Sequence, residues 1–154
     1  MPSIQQWLSA YGESHQNPTN KLIHWICVPA IFLSIIALLF SIKLPFSIDG
    51  FQMNVAIPIL IMVVLYYFKL SASLAIGMLL FTLACLGICY WVEAQVNIPI
   101  WVLALGVFAA AWVGQFYGHH IEGKKPSFLK DIQFLLIGPA WLMSFIYQKL
   151  KIAL

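Results

Sequence analysis

The run LIHWICVPAIFLSIIALLFSI, Leu22–Ile42, contains no Asp, Glu, Lys or Arg. At ~1.5 Å of rise per residue, a helix of that length crosses a hydrocarbon layer of about 30 Å. Asn17-Pro18 before it reads as a turn, with Thr19 or Asn20 as the N-cap. Pro29 is expected to kink the helix, because it removes one backbone donor. One such helix decides the class of the chain: the rest must fold beside it in a bilayer.

Three more spans follow from the same reasoning: Met53–Phe68, Leu70–Val92 and Ile98–Tyr117. Lys43–Asn54, with Pro45 and Asp49-Gly50, is a polar break. Almost no loop separates the second and third spans, which predicts a tight antiparallel pair. Residues 118–131 form a polar loop. The last apolar segment, Ile132–Gln148, is interrupted by Gly138-Pro139 and is marginal as a span. A re-entrant or interfacial segment is expected there, provided protein covers the broken backbone. In residues 1–20, Ile4, Trp7, Leu8 and Tyr11 repeat at i, i+3, i+4, i+7. That spacing predicts an amphipathic helix in the headgroup layer, anchored by Trp7 and Tyr11.

Composition agrees. The chain is 62% hydrophobic and 8% charged, against about 25% charged for a soluble domain. The expectation is one all-α integral membrane domain over residues 1–154: a bundle of four transmembrane helices plus the C-terminal segment, or five spans if that segment crosses. The basic residues are eight lysines and no arginine, scattered at segment ends, so no nucleic-acid surface is indicated. With the N-terminus in the cytoplasm and four spans, Lys21, Lys69, Lys124, Lys125 and Lys130 fall inside and Lys43 outside. A returning last segment adds Lys149 and Lys151 to the inside set, as the positive-inside rule favours. Cys27, Cys85 and Cys89 lie in apolar runs and read as small buried residues rather than a disulfide framework.

All four histidines stand at polar edges of apolar segments. Under the four-span topology His15, His24, His119 and His120 share the cytoplasmic face. Imidazole is the commonest metal ligand, and single interfacial histidines that bind nothing are also common, so both readings stand. Gln115, His119 and Glu122, at i, i+4, i+7, share one helix face, with His120 about 100° round from His119. Glu122 and Gln115 suit hydrogen bonds to a ligand ring, and Glu122 also suits ligation itself. A bend at Pro18 would bring His15 to His24. Several imidazoles with open positions suit ferrous iron or catalytic zinc, whereas calcium and magnesium want oxygen. A transporter or b-type cytochrome normally needs polar or ligating residues within the membrane, and the spans have no ionisable residue at mid-depth. Four histidines are too few for a di-iron lipid hydroxylase. A non-enzymatic membrane protein that binds metal or lipid is the main alternative to an enzyme.

Two stretches carry a family resemblance. Tyr11-Gly-Glu-Ser-His-Gln-Asn-Pro-Thr-Asn-Lys-Leu-Ile-His24, followed by Val28-Pro29, is the first. Gln115-Phe-Tyr-Gly-His119, followed by Glu122-Gly123 and Pro126, is the second, and Gly138-Pro139 also fits. The chain resembles the yeast-type 2-hydroxy-fatty-acid dioxygenases, long catalogued as a domain of unknown function. That resemblance implies Fe2+-dependent α-oxidation, in which a long-chain 2-hydroxy fatty acid and O2 yield the fatty acid one carbon shorter and CO2. It implies His15, His24 and His119 as iron ligands and catalytic residues, with His120 a fourth candidate. Lys21, Lys124 or Lys125 would attract the substrate carboxylate, and the acyl chain would enter sideways from the bilayer. The implied location is the bacterial inner membrane or, in a eukaryote, the endoplasmic reticulum.

Overall fold

The computed structural model describes the backbone of residues 2–123 and 128–154, and the side chains of residues 2–123 and 134–154. The order is α1 (Ile4–Gly12), α2 (Pro18–Phe40), β1 (Lys43–Ile48), β2 (Phe51–Asn54), α3 (Ala56–Leu70), α4 (Ala72–Gln95), α5 (Ile100–Glu122) and α6 (Phe128–Lys149). Among the described residues, three helices, α2, α4 and α5, are long and apolar enough to cross a membrane, while α3 is a shorter apolar helix. At ~1.5 Å per residue, the 15 residues of α3 cover about 22 Å.

Local chemistry sets the boundaries. Ser3 and Gln6 form a reciprocal capping box that opens α1. Asn17, rather than Thr19 or Asn20, caps α2: its side chain accepts from the N–H groups of Thr19 and Asn20. Pro18 takes the first helical position, where a missing N–H costs nothing. Ser71 alone separates α3 from α4. Its N–H closes α3 on the Tyr67 carbonyl and its hydroxyl caps α4 at Leu74, giving the expected tight pair. The three cysteines are free, two of them buried.

The polar break at 43–54 is an antiparallel hairpin. Asp49 and Gly50 both have positive φ, 50° and 80°, as two-residue hairpin turns demand. Tyr90 donates to the Gln52 carbonyl (2.8 Å) and Lys43 pairs with Glu93 (2.8 Å), fastening the hairpin to the end of α4.

The closest helix pairing joins α2 to α5. At Gly114 and Gly118 the helices approach until a Cβ on Gly114 would stand 2.6 Å from Cys27 Sγ, and one on Gly118 would collide with Asn20 Oδ1. Two expectations are corrected. Gly138-Pro139 does not turn the last segment back, because α6 runs through it as one helix. The glycine is needed for close approach: a Cβ at Gly138 would sit 3.0 Å from the Tyr11 hydroxyl. Nor is Tyr11 a headgroup anchor. It is 3% exposed and packed between α1 and α6, with its ring 5.0 Å from those of Phe134 and Trp141.

Hydrogen bonds tie α6 to α3 and α4. Tyr67 donates to the Leu136 carbonyl, and Tyr147 accepts from Gly77 N–H. Leu154 packs against the cluster that contains Ile4. Both termini therefore lie at the end of the bundle that holds the start of α2 and the end of α5.

Candidate metal centre

Three elements deliver one histidine each. The turn after α1 carries His15, the second turn of α2 carries His24, and the last turn of α5 carries His119. One potential ligand atom from each lies within 4.8 Å of the others. Ring centroids are 4.1 Å apart for His15 and His24, 5.5 Å for His15 and His119, and 5.3 Å for His24 and His119. His15 and His24 are buried and His119 is partly so.

The hydrogen bonds fix which nitrogens face inward. His15 Nδ1 lies 2.6 Å from the Tyr11 carbonyl oxygen, and His24 Nδ1 lies 2.9 Å from that of Asn20. A carbonyl oxygen only accepts, so both Nδ1 atoms carry hydrogen and donate. In neutral rings both Nε2 atoms then present lone pairs, and they stand 2.9 Å apart. A hydrogen bond between them would need one ring doubly protonated. Burial holds the His15 pKa down to about 4, with the proximity of His119 adding to the lowering and the Tyr11 carbonyl opposing it. Burial thus favours the neutral ring, and a cation between two facing lone pairs would relieve their repulsion. Two nitrogens ~2.1 Å from one ion at a right angle are ~3.0 Å apart, close to the separation here. With one ligand atom of each ring within 4.8 Å of the others, His15, His24 and His119 could together hold one ion. The donor set fits a borderline divalent ion, and the carbonyl partners on Nδ1 are what metal-bound histidines normally have.

The pocket beside the rings has about 30 Å³ of free volume, enough for an ion or a water but not an acyl chain. Its lining includes Tyr11, Trp112, Gln115, Phe134 and the apolar face of α2 from Val28 to Ile35. The Tyr11 ring stacks flat on His15, 4.1 Å between centroids and 6° between planes. Trp141 closes the same side, 5.3 Å from His15.

The structure sorts the remaining candidates. His120 is exposed and outside the triad, because consecutive helical residues cannot face one point. Gln115 is buried and lines the pocket one turn before His119. The Glu122 carboxylate accepts from the backbone N–H groups of Gln16 and of Asn17, the latter at 3.0 and 2.9 Å. It ties the end of α5 to the turn carrying His15. Lys21 is half-buried and does not line the pocket. Lys124 and Lys125 lie outside the described residues. Missed from the sequence were Asn20 and the true role of Tyr11. Asn20 is fully buried; its amide donates to the Ser14 carbonyl (3.1 Å) while its own carbonyl holds His24. The spacing Tyr11–His15 and Asn20–His24, each i to i+4, is a signal that the carbonyls can reach the rings.

Because Glu122 orients the His15 turn without joining the triad, Glu122→Gln should weaken divalent-metal binding by ~10–100-fold, the usual cost of losing a supporting partner. Chelator competition measures it, and an unchanged affinity would show the tie to be dispensable.

A family model described as "Mpo1-like: 2-hydroxy-palmitic acid dioxygenase Mpo1-like" matches residues 1–150. The chain is 29% identical over 142 residues to the 2-hydroxy-palmitic acid dioxygenase MPO1 of Saccharomyces cerevisiae, covering 91% of this chain and 77% of that protein. No solved structure matches the chain.

Proposed function

The chain belongs to the Mpo1-like family, and we propose that it is an Fe(II)-dependent dioxygenase that shortens long-chain 2-hydroxy fatty acids by one carbon. The overall change is R–CH(OH)–COOH + O2 → R–COOH + CO2 + H2O. The C1–C2 bond breaks, the substrate supplies all four electrons, and O2 is reduced, so no separate reductant is required. The observation that carries this reading is the pair of inward-facing Nε2 atoms, each held by a carbonyl-bound Nδ1–H, with His119 closing the third side.

Iron bound there would supply electron transfer to O2 and a Lewis-acidic anchor for the substrate's carboxylate and hydroxyl oxygens. The protein's share is positional. His15, His24 and His119 would hold the ion at the edge of the pocket. Tyr11 and Trp141 keep the His15 ring from rotating and exclude water on that side. The apolar face of α2 from Val28 to Ile35 walls the pocket, so a chain arriving from the bilayer would enter only where these side chains part.

The test is anaerobic purification and loading with iron or zinc, followed by incubation with 2-hydroxypalmitate and O2. Pentadecanoate and CO2 should form with iron and not with zinc. Equal turnover with zinc would rule out oxygen activation at the metal. Retention of iron with no turnover of any 2-hydroxy acid would favour the metal- or lipid-binding alternative. The histidine end is proposed to face the cytoplasm, from the lysine distribution. A membrane-impermeant thiol reagent should then label Lys151→Cys only from that side, and labelling from the outside alone would reverse the orientation.

A further inference from the structure

Two buried polar atoms in the metal pocket have no hydrogen-bond partner among the described residues, and they are of opposite kind. Gln115 Oε1 is an acceptor with no donor, and Trp112 Nε1 carries a hydrogen with no acceptor. Both side chains line the pocket shared with the three imidazoles, and Gln115 is only 8% exposed. They sit at i and i+3 on α5, with His119 one turn further, so the helix presents all three toward one side. An unsatisfied buried polar atom carries a desolvation penalty, so a pair in one pocket calls for a ligand.

We infer that Gln115 and Trp112 read the oxygen functions of the substrate head: Gln115 Oε1 accepts the hydrogen of the 2-hydroxyl, and Trp112 Nε1–H donates to the carboxylate. The inference rests on the proposed reaction and adds to it the residues that choose the substrate. A 2-hydroxy acid is a compact group bearing a hydroxyl donor next to carboxylate acceptors, which is the complement of these two atoms. An unsubstituted fatty acid has the carboxylate but no donor at C2, so it leaves Gln115 unpaired. A site built to hydrogen-bond a hydroxyl rejects the analogue lacking it far more strongly than an apolar pocket rejects a change in size.

The two atoms make separable predictions. The zinc-loaded protein in lipid nanodiscs allows equilibrium binding of 2-hydroxyhexadecanoate and hexadecanoate to be compared. Wild type should prefer the hydroxy acid. Gln115→Met, close in length and without the acceptor, should cut that preference by ~10-fold or more, the size of one lost buried hydrogen bond. Trp112→Phe, which keeps an aromatic ring and removes the N–H, should weaken both acids alike and leave the preference intact. All three imidazoles remain in both variants, so wild-type zinc content reports correct folding. If Gln115→Met falls short of it, Gln115→Asn, which withdraws the amide by one methylene, carries the same comparison. An unaltered preference in the Gln115 variant, or unaltered binding of both acids by Trp112→Phe, would mean that an ordered water alone satisfies these atoms, and would overturn the inference. Absence of turnover by the iron-loaded wild type would count against the proposed reaction, whereas this comparison is read without turnover.

Discussion

Replacing His119 with alanine is expected to abolish both iron retention and turnover of 2-hydroxypalmitate. The variant keeps His15 and His24, whose Nε2 atoms face each other 2.9 Å apart, but removes the one imidazole that α5 brings to the cluster. Two nitrogens from neighbouring turns of the chain do not hold an exchangeable divalent ion against water and chelators as three do. The loss should therefore exceed the ~10–100-fold drop that follows removal of a supporting partner. His120→Ala is the matched control. That ring is exposed and turned away from the triad, so its removal should leave iron content and rate near wild type. Metal analysis of the purified variants and product formation under saturating O2 decide the matter. Near-normal iron and activity in His119→Ala would remove the triad as the catalytic centre. Equal damage from His120→Ala would mean that the ligand set has been drawn too narrowly.

The sequence carried the long helices and the identity of the three clustered histidines, but not the manner of their assembly. Uninterrupted apolar length is sufficient to find α2, α4 and α5, because crossing a bilayer imposes that length. It is a poor guide to α3 and α6. The 15-residue α3 starts late because Lys43–Asn54 is spent on a hairpin, and nothing in a polar break distinguishes a paired turn from a loop except the Asp49-Gly50 pair. Gly138-Pro139 looked like a breaker, yet the glycine serves the contact with Tyr11 while the helix continues. Amphipathic spacing showed that α1 has an apolar face but not that the face covers His15 and α6 rather than lipid. Glu122 was legible as a neighbour of His119; that its carboxylate reaches the Gln16 and Asn17 N–H groups depends on how α5 meets the turn before α2, which no local pattern encodes. One signal was present and went unread. Gly114-Gln-Phe-Tyr-Gly118 is the small-xxx-small spacing by which membrane helices come close, and it marks the α2–α5 contact on which the site is built.

That contact yields a second large effect. Gly118→Ala should cost most of the bound iron although Gly118 has no side chain to offer the metal. A Cβ there collides with Asn20 Oδ1 and comes 3.5 Å from His24 Cε1. Asn20 has little freedom to retreat: it is fully buried, its amide is bonded to the Ser14 carbonyl, and its own carbonyl holds His24 Nδ1. The added methyl group therefore displaces either α5, moving His119 away, or Asn20, releasing His24. Overpacking of this kind costs ~1–3 kcal/mol, and the displaced ligand should lower iron affinity by at least ~10-fold, as loss of a ring's supporting bond does. Gly114→Ala meets Cys27 Sγ at 2.6 Å, the end of a short side chain that can rotate, so its effect on iron should be slight. The pair Gly118→Ala with Asn20→Ala separates packing from ligand support. Removing the Asn20 side chain relieves the collision and should restore thermal stability. It also deletes the bond to Ser14 that fixes the segment between His15 and His24, so iron affinity should stay low. Full iron content in Gly118→Ala would show that the two helices can part without opening the triad. Recovery of both stability and iron in the double variant would show that Asn20 fills space and does not support the ligands.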